Sequence, residues 1–138
     1  MAPSRSEIFI PLSAELLRLG YRVRFRPKGT SMHPAIRDGE TITVEPVSPA
    51  DVKRGDIIFC RTKDAVIAHR VVSIKGRTSF ILRGDALQSC DEPISAAQVL
   101  GRVVSVERDG RSIAVAGYRA RLLRVARLFA SRIKMRIC

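Results

Sequence analysis

Apolar residues recur along the chain with two different periods, and the change of period divides it into three zones. Over residues 4–20, Ile8, Leu12, Leu16 and Leu19 fall at spacings of four, four and three, which predicts a short amphipathic helix. Ser4 or Ser6 can cap its start and Gly20 ends it, while Pro11 weakens its first half. From Tyr21 the period falls to two. Tyr21, Val23 and Phe25 alternate with Arg22, Arg24 and Arg26, the pattern of a half-buried strand. Short runs rich in Val and Ile follow at Thr41–Glu45, Asp56–Arg61, Val66–Ile74, Ser79–Arg83, Val99–Glu107 and Ser112–Ala116. Turn residues separate them, and Asp109-Gly110 between the last two runs is a strong hairpin signal. Many short strands with little helix between them predict a mainly β fold over residues 21–117, an antiparallel coiled sheet or irregular barrel.

The third zone, residues 118–138, returns to a helical period. Tyr118, Leu122, Val125, Phe129 and Ile133 share one face, and Arg121, Arg124, Arg127, Arg132 and Lys134 fall on the opposite arc. A basic amphipathic helix of this kind fits an anionic membrane surface as well as it fits packing on the sheet with a solvated cationic back. The 138 residues, 46% of them hydrophobic, suit one domain with a modest core. The net charge of +12 favours an anionic partner. With no Trp, two Tyr and five Phe, a base-stacking platform is poorly supplied, and no specific nucleic-acid partner is expected. No run approaches the ~20 apolar residues of a membrane-spanning helix, and no signal peptide is apparent. The protein is expected to be peripherally membrane-associated, on the cytoplasmic side if these residues alone are considered. Cys60, Cys90 and Cys138 are widely spaced and odd in number, which predicts three free thiols and no zinc site.

The candidate chemistry begins in the loop Gly29-Thr30-Ser31-Met32-His33-Pro34. A serine hydroxyl is a weak nucleophile at neutral pH and needs a neighbouring base. Of the two histidines, His33 sits two residues from Ser31, a poor arrangement for proton removal, and His69 lies in an apolar strand. An imidazole is suited to general base work, and a carboxylate then fixes its tautomer. Asp85 and Asp91 follow in the chain as candidates, either one able to orient His69.

In order, Gly-x-Ser-Met-x-Pro at 29–34, Gly-Asp-Ile-Ile-Phe at 55–59, His-Arg-Val-Val at 69–72, Arg-Gly-Asp-Ala at 83–86 with Asp91 beyond it, and Gly-Arg-Val-Val at 101–104 resemble the type I signal peptidase family. The resemblance is to the branch whose base is His rather than Lys, as in archaeal and endoplasmic-reticulum enzymes, and it spans roughly Val23 to Val106. It implies a β-rich peptidase core and a serine endopeptidase that cuts precursor peptides after small residues. It further implies Ser31 as nucleophile, His69 as general base, Asp91 as third triad member, Asp85 as a supporting carboxylate and Met32 as a substrate-pocket residue. No metal or organic cofactor is implied. Family members often carry Ser where this chain has Gly29, so the oxyanion would fall to backbone amides near Gly29–Ser31, with Thr30 assisting. The family's place on the exported face contrasts with the missing anchor. Autocleaving repressors of related fold use a Ser–Lys pair, against which His69 argues. A peptidase-fold binding module without turnover and a basic nucleic-acid or membrane-surface binder are the other readings.

Overall fold

The computed structural model describes the backbone of residues 5–115 and the side chains from residue 11 onward. The helix expected over 118–138 and the side chain of Ile8 lie outside that range. The protein is mainly β. Helix α1 (Arg5–Arg18) precedes strands β1 (Val23–Phe25), β2 (Thr41–Glu45), β3 (Ile57–Arg61), β4 (Val66–Lys75), β5 (Ser79–Arg83), β6 (Ile94–Ser95), β7 (Val99–Arg108) and β8 (Arg111–Ala114). The strands form one antiparallel sheet in the order β1-β2-β7-β3-β4-β5-β6, with β8 paired to β7. Register shifts in the β2–β7, β3–β7 and β4–β5 pairings curl it. No described helix is long and apolar enough to cross a membrane.

Helix α1 forms as expected but turns a different face inward. Leu17 and Ser13, one turn apart, are buried, whereas Leu12 and Leu19 of the anticipated stripe are 53% and 57% exposed. The reason lies in β7. A Cβ on Gly101 would stand 2.6 Å from the Val44 side chain and 3.3 Å from that of Leu17. The bare glycine leaves the helix a seat centred on Leu17. The helix ends in a Schellman motif: Tyr21 N–H donates to Leu16 O and Gly20 N–H to Leu17 O, with Gly20 at φ +95°. That cap consumes Tyr21, so β1 starts at Val23 rather than at the first residue of the alternation.

The β7–β8 hairpin turns on Asp109 (φ 51°) and Gly110 (φ 72°), the paired positive angles of a type I′ turn. β3 lies at the centre, flanked by β7 and β4. Its alternate residues serve two cores: Ile57 and Phe59 join Met32, Ile36, Ile42, Val44 and Val103, and Ile58 and Cys60 join Val71, Phe80, Leu82 and Ile94. Cys60 is a buried free thiol. Cys90 is disulfide-bonded, which corrects the expectation of three free thiols.

Candidate active site

The site is built on one register. β4 pairs with β3 so that His69 stands opposite Ile58, and Arg70 opposite Ile57. Strand pleating sends these neighbours to opposite faces. The segment after β5 meets both, supplying Asp85 to Arg70 and Asp91 to His69. The Asp91 N–H donates to Leu82 O at 2.8 Å, which ties the returning chain to the end of β5.

His69 is buried, with Nδ1 2.6 Å from Asp91 Oδ2 and Nε2 3.0 Å from Ser31 Oγ. An ionised carboxylate accepts only, so Nδ1 carries the proton donated to Asp91, and the Nε2 lone pair is free to accept from the Ser31 hydroxyl. Thirty-eight residues of sequence separation between serine and histidine are thereby closed. Exposed His33 has only a backbone part in the loop, its N–H donating to Thr30 O.

Asp85 takes a different place. Its carboxylate accepts two bonds from the Arg70 guanidinium, both 2.8 Å, and Arg70 also donates to Gly55 O. The pair is nearly buried, with 11% and 12% side-chain exposure. It fixes the turn 84–86, whose backbone holds the serine loop. Ala86 N–H donates to Ser31 O at 2.9 Å, and Asp85 N–H points at Met32 Sδ at 3.4 Å. Met32 is core as well as cleft lining. Sequence reasoning missed this Arg70–Asp85 clamp; the only local signal was the Gly-Asp turn.

Gly29 sits at φ +105°, a conformation glycine adopts without strain. Its N–H donates to Asp38 Oδ1 at 3.0 Å, so that amide is already engaged. A cleft of about 310 Å³ opens beside Ser31 and His69. Its floor includes Phe25 and Phe59, whose ring centroids lie 5.1 Å apart, and its walls include Met32, Ile36, Val66 and Ala68.

The Peptidase S24-like family profile matches residues 3–104. The chain belongs to the Peptidase S24-like family. The match embraces α1, the serine loop, the histidine strand, both aspartates and most of β7, and supports a peptidase-type hydrolase with a serine-peptidase fold. No curated protein matches the chain. In this Peptidase S24-like protein the thiol of Cys60 is disarmed. Burial, and then the negative Asp91, push the Cys60 thiol up to about 12, so it stays protonated and unreactive at neutral pH.

Proposed function

We propose that the protein is a serine endopeptidase of signal-peptidase type, cutting precursor peptides after small residues through a Ser31–His69–Asp91 relay. The observation that carries this reading is the unbroken chain of contacts, 2.6 Å from Asp91 to His69 and 3.0 Å from His69 to Ser31, within hydrogen-bond reach at both links. In the proposed reaction Ser31 Oγ attacks the scissile carbonyl carbon as its proton passes to His69 Nε2. The Ser31 amide, with Thr30 assisting, stabilises the oxyanion. Collapse of the tetrahedral intermediate breaks the C–N bond, and the leaving amine takes the proton from His69. Water, deprotonated by His69, then hydrolyses the ester and restores Ser31. Asp91 holds the imidazole and balances its transient charge. Asp85, bound to Arg70, positions the serine loop instead.

A strand edge left unpaired by the described residues supports a path for the substrate. β4 pairs with β3 along Val66–Arg70, but with β5 only from Arg70 onward. Among the described residues, 66–69 therefore have one unpaired backbone edge along the cleft, where an extended peptide can add as a strand.

Cleavage of precursor peptides bearing Ala before the scissile bond is the test. The intact protein should cleave, and should be labelled at Ser31 by a serine-directed acylating reagent. Ser31→Ala and His69→Ala should abolish both. Asp91→Asn, which favours the wrong tautomer, should lower kcat by roughly 10³–10⁴-fold. Equal cleavage by the intact protein and Ser31→Ala overturns the assignment.

A further inference from the structure

The full charges on the side chains that line the cleft are all positive. Along the run from Arg22 to Lys28, Arg22 pairs with Glu45, which Arg102 shares, and Arg24 with Glu107. Arg26 and Lys28 continue the same run, and among the described residues neither forms a salt bridge. Both line the cleft, and no acidic residue does. The alternation of burial also continues past the end of β1. Phe25 and Pro27 are half-buried, while Arg24, Arg26 and Lys28 are exposed. Two cations with no ion pair among the described residues therefore stand two residues apart in a cleft whose other lining is largely apolar.

We infer that the cleft selects extended peptides carrying acidic side chains at alternate positions, with apolar or small residues between them. An extended chain places side chains i and i+2 on the same side about 6.6–6.8 Å apart, and Arg26 and Lys28 are likewise two residues apart on the exposed side of the alternation. The intervening side chains then turn toward Phe25, Phe59 and Val66. Carboxylates at the cationic rim gain attraction that no acidic lining opposes. Each exposed pair is worth about two- to fivefold in affinity, and the two together about tenfold, less at high salt. For turnover this rests on the peptidase reading; for recognition it needs only the cleft.

The test uses the full chain with Ser31→Ala and fluorescent peptides that bear Ala before the scissile bond. The peptides differ only at two alternate positions, holding Glu and Glu, Gln and Gln, or Lys and Lys. Anisotropy should rank Glu over Gln over Lys, with about tenfold between Glu and Gln at low salt. Arg26→Glu with Lys28→Glu should invert the ranking. Lys53→Glu with Arg54→Glu, which changes net charge equally but away from the cleft lining, should leave the ranking intact. Equal binding of the three peptides overturns the inference, as does an equal effect of the two double variants. It is also overturned if reversal at Arg26 and Lys28 abolishes binding to phosphatidylserine vesicles while the peptide ranking persists. Cleavage assays of the intact protein run in parallel. A binding preference without cleavage upholds the inference against the peptidase reading, and cleavage without preference does the reverse.

Discussion

Gly84 marks the place where the turn after β5 passes against the serine loop, and replacing it with Ala gives the most direct test of how tightly that loop is held. A Cβ there would stand 2.7 Å from Ser31 O, with Leu87 Cδ1 and Cγ at 3.0 and 3.1 Å. Gly84 is not among the positive-φ glycines, so Ala strains no dihedral and the perturbation is purely steric. Leu87 is 44% exposed and can swing away; the Ser31 carbonyl is backbone and cannot. Reaching an ordinary contact requires the two backbones to part by about 0.7 Å, which also stretches the 2.9 Å bond from Ala86 N–H. Passed on whole, the displacement lengthens the 3.0 Å Ser31–His69 contact beyond ordinary hydrogen-bond length. Misplacement by 1 Å costs up to about 10²-fold in rate, so Gly84→Ala should lose roughly 30- to 100-fold in kcat. Overpacking of this kind costs about 1–3 kcal/mol, a fall in Tm of roughly 4–12 °C. The assay pairs single-turnover cleavage well below the transition with thermal unfolding by circular dichroism. Gly39→Ala is the control, since at φ +84° it is strained but meets no atom within 4 Å. It should lose stability and keep kcat. A folded Gly84→Ala protein that cleaves within twofold of the parent would refute the coupling.

Two further outcomes follow from the ion pairs. Asp85→Ala leaves the Arg70 guanidinium buried without its carboxylate and should cost about 3–5 kcal/mol in urea unfolding, whereas Arg70→Met with Asp85→Leu should recover most of it; failure of the double variant to recover would mean that the pair's worth lies elsewhere. Glu40 accepts hydrogen bonds from the Arg108 guanidinium at 2.6 and 2.7 Å and from the Arg37 N–H at 2.7 Å, and its carboxyl is held below the ordinary glutamate range, chiefly by the Arg108 hydrogen bond. A depressed carboxyl stabilises the fold above its unfolded value of about 4.3 and loses that contribution as pH falls through the folded value. Glu40→Gln should therefore be the less stable protein at pH 6, with the gap closing as thermal melts are taken down toward pH 3; a gap that stays constant with pH counts against the pair.

Strands whose neighbours in sequence are also neighbours in space were legible from local pattern. Thr41–Glu45 and Ser79–Arg83 have the expected limits, and Asp109-Gly110 makes the expected turn. What local pattern could not give was the outcome of contests between elements. The inward face of α1 is chosen by Gly101, more than eighty residues away, not by the density of leucines. Two-residue β6 is too short to show a period and exists because Ile94 and Ser95 pair with Phe80 and Ser79. In the candidate site, the motifs named serine, histidine and two carboxylates. Their separate partners depend on the pleat at 69–70, which assigns Asp91 to one face and Asp85 to the other. The clamp on the serine loop runs through main-chain groups of Ala86 and Ser31, which any side chain could supply and no composition reveals.

The two-sided burial of β3 has a thermodynamic corollary. Since successive side chains of one five-residue strand fill both apolar clusters, withdrawing that strand empties the two at once, and neither can melt as a separate unit. Heat capacity, ellipticity and the environment of the serine hydroxyl should then report a single cooperative transition, with no partly molten species that retains the Ser31–His69 contact.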